Sequence, residues 1–436
     1  MTERTRGERG RRRKGIGHGK SQGSEAGQVH GEAFSTLTVH AGEERRKPYH
    51  ALTTPIVQSS TFTFENTAEI MRFVERRDAG SAHSPAPGLQ QAGDREDYGR
   101  YGNPTQRAAE RKVAALEGGA RALLFASGMN AITTALLTLL SSDDHLVVTK
   151  GCYSRTQQFI REFLPRWSIE ATFLGGDDGA PSGAALIDAL QPNTRLILCE
   201  TPTNPYLRVM DLAQIVEVAR RRQIITVIDS TFATPINLRP LEHGLDLVLH
   251  SATKYLGGHN DLLAGAVVGS NELIDQIKAT RDVLGGVSSP HDAYLLIRGL
   301  KTLDLRVRQQ NESAQEVAEY LEGHPAVRRV YYPGLPSHPD HHIARRQMRG
   351  FGGVVSFDID GNLERTGRFV DRLRLPYVGP TLGGVESVVR QQAIFASSEP
   401  EERRKLGVAD NLVRYAVGIE DVEDIIADLD QALAGL

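Results

Sequence analysis

Between about residues 121 and 270 the chain repeats one unit, a short run of apolar residues followed by a longer amphipathic stretch. RALLFAS, HLVVTK, IEATFLG, RLILCE, IITVID and LDLVLHS are the short runs, and DLAQIVEVARRR represents the stretches between them. A strand that buries one face alternates apolar with polar residues, whereas a strand that is apolar throughout needs cover on both sides. The pattern predicts an α/β domain whose mostly parallel sheet is covered by helices on both faces.

Downstream, a helical stretch over about 290–323 leads into VRRVYY, GGVVSFDI and LVRYAVG, strand-like segments interspersed with helices, which predict a smaller C-terminal α+β domain. Upstream, Asn66 with Glu69 three places on resembles a capping box, and Ile70, Phe73 and Val74 then share one helix face. Residues 1–32 are rich in Arg, Gly, Ser and Gln and offer little to bury, which predicts a disordered basic tail. A polar insert over about 77–96 reads as a flexible loop near the site. The division expected is a tail (1–32), an arm with insert (33–97), an α/β domain (98–290) and an α+β domain (291–436).

Composition narrows the classes. With 436 residues, 40% of them hydrophobic and 24% charged, the chain is long enough for two cores. A net charge of -3 gives no global reason to expect nucleic acid or a membrane surface as partner. The cluster Arg11, Arg12, Arg13 and Lys14 is read as a solvated terminus and is assigned no function. Cys152 and Cys199, the 2 cysteines, lie beside apolar runs, so we expect buried thiols and a cytoplasmic address. No apolar run has the length of a membrane span, and we assign no metal ligands.

Chemistry gathers at strand ends. HSATKYLGGHND, His250 to Asp261, puts Lys254 beside Ser251 and Thr253 just after LDLVL, where open α/β sheets bind ligands. A lysine there either reaches solvent or, with its pKa lowered, forms an imine with an aldehyde. Asp229 ends IITVID; it either caps a turn or pairs with a protonated pyridine nitrogen, which would spare it burial without a partner. Ser127, Gly128 and Met129 stand between a strand and a helix whose free N–H groups suit an anion such as a phosphate. In YGRYGNPT, Tyr98 and Arg100 precede a helix with Asn103 as cap and Pro104 at its first position.

Taken together, these segments resemble the Cys/Met metabolism (transsulfuration) family of pyridoxal-phosphate enzymes, from about residue 34 to the C-terminus. GCYSRT, ETPTNP, TFATPIN, IRGLKTLDLRV, VYYPGLPSHPDH and GFGGVVSF place the likeness nearest the plant-type cystathionine γ-synthase branch. The resemblance implies a fold type I transferase with pyridoxal 5'-phosphate held by Lys254, which is also the general acid/base. By the same likeness Asp229 would meet the pyridinium nitrogen, and Tyr153 would stack on the ring and assist proton transfer. Ser127, Gly128, Met129, Ser251 and Thr253 would bind the phosphate. Tyr98 and Arg100 would reach the cofactor of a neighbouring subunit in a homotetramer, a dimer of dimers with shared sites. Arg414 would grip the substrate carboxylate, with Asn204 and Thr381 beside it.

The activity implied is γ-replacement on an activated, O-acyl or O-phospho, homoserine with cysteine, the partners being small amino acids. The alternatives on the same scaffold are a cystathionine or methionine γ-lyase, a homoserine sulfhydrylase, or γ-replacement with another nucleophile in specialised metabolism. A role for the basic tail in nucleic-acid binding is a distant alternative. Two departures bear on the substrate. GPTLGG carries Pro380 and Thr381 where many relatives have Glu before SLGG, as the plant-type branch also does. ESVVRQQAIF puts Arg390 and Gln392 where an acidic or polar residue and a proline are common, and Arg390 reads equally as a substrate contact or a surface charge.

Overall fold

The structure is a computed structural model, and it describes residues 33–78, 96–175, 182–405 and 407–436. The tail and nearly all of the insert lie outside the described residues. The first sheet contains β1 (Arg121–Phe125), β2 (His145–Thr149), β3 (Glu170–Leu174), β4 (Thr194–Glu200), β5 (Ile225–Asp229), β6 (Leu247–Ser251) and β7 (Gly265–Gly269). Their order is β1-β7-β6-β5-β4-β2-β3, with β7 antiparallel to both neighbours and the other pairings parallel.

All six apolar runs form strands, and the reason they are apolar at successive positions is visible in the packing. Leu123, Phe125, Val227, Leu247 and Leu249 enter one buried cluster, while Ala122, Leu124, Ile228 and Val248 enter the other on the opposite face. Each Val, Leu, Ile or Phe side chain among them contributes about 1.5–3 kcal/mol by leaving water. β7, GAVVG, is an addition to the expectation. Its glycines allow close approach: a Cβ on Gly265 would lie 2.2 Å from the Ser127 carbonyl oxygen. β7 thereby seats the start of the helix Gly128–Leu139 against the end of β6.

The second sheet has β8 (Val327–Tyr331), β9 (Val354–Ile359), β10 (Tyr377–Val378), β11 (Val388–Gln391) and β12 (Leu412–Ala416), in the order β10-β11-β12-β9-β8. Only the β10–β11 pair is parallel. Val413 and Tyr415 of β12, with Val355 and Phe357 of β9, point into the core. By the two-residue period of a strand, Arg414 and Ser356 face the other way, and Ser356 Oγ donates to the Pro205 carbonyl at 2.7 Å. That face therefore looks onto the ETPTNP loop at the end of β4. The helical stretch resolves into two helices, Pro290–Leu300 and Leu303–Glu322.

The local end signals hold at Asn103 and in part at Asn66. Asn103 caps Pro104–Glu117, its Oδ1 accepting from Thr105 N–H at 2.8 Å. Asn66 Oδ1 accepts from Glu69 N–H at 3.0 Å, but the returning Glu69 carboxylate takes the Glu65 N–H at 2.6 Å, one residue earlier than a capping box requires. Both cysteines are buried and free. Among the described residues no helix is long and apolar enough to cross a membrane.

Candidate active site

The carboxyl ends of β4, β5 and β6 lie side by side, with Glu200 opposite Asp229 and Asp229 opposite Leu249 in register. Thr231, two residues past the end of β5, ties this edge together. Its N–H and its hydroxyl both donate to Asp229 Oδ1, at 3.0 and 2.5 Å, and its Oγ1 accepts from Ser251 N–H at 2.8 Å. Asp229 Oδ2 has no hydrogen-bond partner among the described residues. Burial raises the Asp229 pKa, against the pull of the two Thr231 bonds. A raised carboxyl with one oxygen unpartnered at a sheet edge is what a cationic ring nitrogen would satisfy.

Ser127 spends its hydroxyl as a helix cap, accepting from Asn130 N–H at 3.1 Å. Gly128 lies so close to Ser251 that a Cβ would come within 2.9 Å of it. The helix N-terminus and the end of β6 thus meet in a cradle floored by backbone, with helix dipole and free N–H groups available to an anion. Met129 is occupied by Thr156, whose hydroxyl donates to its sulfur at 3.8 Å. The Thr253 hydroxyl bonds the backbone of Ala264, accepting from its N–H at 3.0 Å and donating to its carbonyl at 3.2 Å. Those bonds hold the turn that carries Lys254.

Lys254 Nζ donates to Thr381 Oγ1 at 3.0 Å. Burial lowers its pKa to about 8, helped by the charges of Arg414 and Arg390. Arg414 donates to the Thr381 carbonyl at 2.9 Å and to Asn204 Oδ1 at 3.3 Å, while its Nε is buried with no partner. Burial, then Arg390, brings the Arg414 guanidinium down to about 9. Lys254, Thr381, Arg414 and Asn204 therefore form one connected group, assembled from the first sheet's edge, the ETPTNP loop and the second sheet.

Tyr153 begins the helix Ser154–Glu162 with its ring partly exposed, and its N–H donates to Glu200 Oε2 at 2.8 Å. Glu200 is itself raised, by burial and then by the Asp229 carboxylate. Tyr98 and Arg100 stand apart from the Lys254 group. Arg100 lies 5.5 Å from the Tyr98 ring and 4.9 Å from that of Tyr101, and it donates to the Asp282 carbonyl. Thr231 and Glu200 are the residues that sequence reasoning missed. The Asp-Ser-Thr step after β5 carries the local signal for Thr231, since a Thr two residues past an Asp readily donates back to it.

This sheet, with a half-buried lysine and an underpartnered carboxylate at its carboxyl end and a helix N-terminus packed against Ser251, has the arrangement of an α/β pyridoxal-phosphate enzyme of fold type I. A family model for the Cys/Met metabolism PLP-dependent enzymes matches residues 35–434. The chain is 48% identical over 405 residues to cystathionine gamma-synthase 1, chloroplastic, of Arabidopsis thaliana, covering 92% of this chain and 69% of the relative. It is 39% identical to an L-methionine gamma-lyase of Fusobacterium nucleatum subsp. polymorphum, covering 92% and 98%. The crystal structure of metB from Corynebacterium glutamicum superposes with a TM-score of 0.82 at 34% identity, covering 93% of this chain and 98% of that one. The chain belongs to the Cys/Met metabolism PLP-dependent enzymes.

Proposed function

We propose that the protein is a cystathionine γ-synthase-like enzyme, replacing the γ-substituent of an activated homoserine with the thiolate of cysteine. The observation that carries the reading is the connected group Lys254, Thr381, Arg414 and Asn204, which puts an amine of lowered pKa near a buried guanidinium suited to a carboxylate. The plant relatives' names, cystathionine gamma-synthase, support the choice among γ-chemistries.

Pyridoxal phosphate, when bound, supplies an electron sink that makes the hydrogens on Cα and Cβ of an attached amino acid acidic. In this reading Lys254 would hold the aldehyde, and its amine, when free and neutral, would take and return those protons. Thr381 keeps that amine aimed. Arg414 orients the substrate through its α-carboxylate with a planar fork, and Asn204 fixes the fork. Asp229 would keep the ring nitrogen protonated, Tyr153 would stack on the ring and assist proton transfer, and the Ser127–Met129 helix start, with Ser251 and Thr253, would hold the phosphate. The Cγ–O bond would break with its electron pair going to the departing carboxylate or phosphate oxygen, and the thiolate would supply the pair for the new Cγ–S bond. Residues 98–290 would hold the cofactor and 291–436 would close the substrate side.

A homotetramer of shared sites accords with the surface of the arm. Tyr49 is 95% exposed, Leu52 90% and Met71 63%, so large apolar side chains there await cover. In such an assembly Tyr98 and Arg100 would serve the neighbour's phosphate.

The test is purified holoenzyme with cysteine and, in turn, O-acetyl-, O-succinyl- and O-phosphohomoserine. Cystathionine formation from at least one ester is the expected result. Release of 2-oxobutyrate at the same rate without any thiol would favour a γ-lyase instead, and no product from any ester would overturn the reading.

A further inference from the structure

Arg390 is opposite Arg414 in the register of β11 and β12. Directly opposed residues on neighbouring strands share a face, and like charges so placed are destabilising. Arg414 turns toward Asn204 and Thr381, so Arg390 stands on the same, site-directed face. Its guanidinium lies over the Phe395 ring, 4.3 Å from the centroid, which fixes the fork in place. Its Nε is buried without a partner, and among the described residues it makes no hydrogen bond or ion pair. The charge of Arg390 acts on both Lys254 and Arg414, which places it within electrostatic reach of each.

Two arginines and a lysine therefore converge, and among the described residues none of the three is paired with a carboxylate. One substrate α-carboxylate answers Arg414 and leaves Arg390 unmatched. We propose that Arg390 is a specificity-determining residue that binds a second anionic group of the reacting pair, beyond the α-carboxylate held by Arg414. That group is a carboxylate or phosphoryl, borne either by the γ-ester leaving group or by the thiol acceptor. The inference rests on the γ-replacement reading for its two sources, but the existence of a second anion contact is testable without turnover.

Unreactive amino acids separate the issues. L-2-aminoadipate carries a carboxylate where the phosphorus of O-phosphohomoserine would fall, and L-norleucine has the same length without the charge. Holoenzyme titrated with each is expected to bind aminoadipate roughly tenfold more tightly, as a charge-assisted hydrogen bond warrants. Arg390→Gln is expected to erase that preference, and Arg390→Lys to keep part of it, with a melting temperature no lower than wild type and unchanged visible absorption. In steady state the same variant then loses its advantage for succinyl and phosphoryl esters over the acetyl ester. Should the anion come from the acceptor, the aminoadipate preference is absent throughout, and Arg390→Gln raises KM for cysteine while leaving that for cysteamine unchanged. If neither the binding ratio nor the cysteine-to-cysteamine ratio moves in Arg390→Gln, the inference is wrong. Because the titration needs no reaction, an enzyme that makes no cystathionine but keeps the aminoadipate preference would refute the proposed function and leave this contact standing.

Discussion

The ε-amino group of Lys254 donates to the hydroxyl of Thr381 at 3.0 Å, joining the edge of the first sheet to a loop 127 residues further along the chain. The Thr381 carbonyl in turn accepts from Arg414. One threonine thus sets the spacing between the amine that would move protons and the guanidinium that would hold substrate. Thr381→Val is expected to retain cofactor but to lower kcat roughly tenfold, since a misaimed proton carrier loses part of a general acid/base contribution of about 100-fold or more. Thr381→Ser should restore most of it, which a purely steric role for the residue would not require. Stopped-flow measurement of substrate α-proton exchange checks both.

Cofactor uptake by the apoenzyme should follow the neutral fraction of Lys254. A lysine lowered by burial is uncharged above its folded pKa, so the rate is expected to rise through a pH of about 8 rather than through the ordinary lysine value of 10.5. The stability consequence has a definite sign. Between those values the unfolded chain binds more protons than the folded one, so the apoenzyme gains stability as pH rises through that window. Uptake rates and apoenzyme melting from pH 6.5 to 9.5 check the two together.

Arg414 is 2% exposed and has one nitrogen without a partner, so its planar fork is already aimed before substrate arrives. Arg414→Lys is expected to raise KM for the homoserine ester roughly 100-fold, because a point charge does not reproduce a bidentate contact. The cofactor's absorption should be unchanged. A rise in KM of less than about twofold for Arg414→Lys, with a far larger rise for Arg414→Ala, would show that charge alone, not fork geometry, is what the site uses.

Tyr98 and Arg100 contact Thr61, Tyr101 and Asp282, away from Lys254. If they complete a neighbour's site, inactive Lys254→Ala and Arg100→Ala subunits mixed and reassembled should regain part of the wild-type activity, on the order of a quarter for a dimeric unit with shared sites. No recovery after demonstrated subunit exchange would place Arg100 in its own subunit's chemistry.

Much of this was legible in the residues because the first sheet is continuous and apolar, and its signals are local. Lys254, Asp229 and Gly128 all follow a strand that announces itself. β7 was not legible, since GAVVG is short, ends in glycine and lacks the polar punctuation that sets the others apart. β11 hid for a related reason, its Arg390 and Gln391 breaking the apolar run. The Lys254–Thr381 and Arg390–Arg414 pairings were beyond reach because no periodicity links residues so far apart in the chain, and only the docking of the second sheet brings them together. The Thr231 bridge was local but small, a turn hydroxyl with two partners in the site.

The visible absorption spectrum of purified Lys254→Ala against wild type tests the central claim most directly. Wild type is expected to be yellow from a covalently tethered cofactor, and the variant, folded and with unchanged melting in the apo form, should lose that band and all cystathionine formation. A Lys254→Ala protein that kept the band through gel filtration, or kept turning over, would contradict the account.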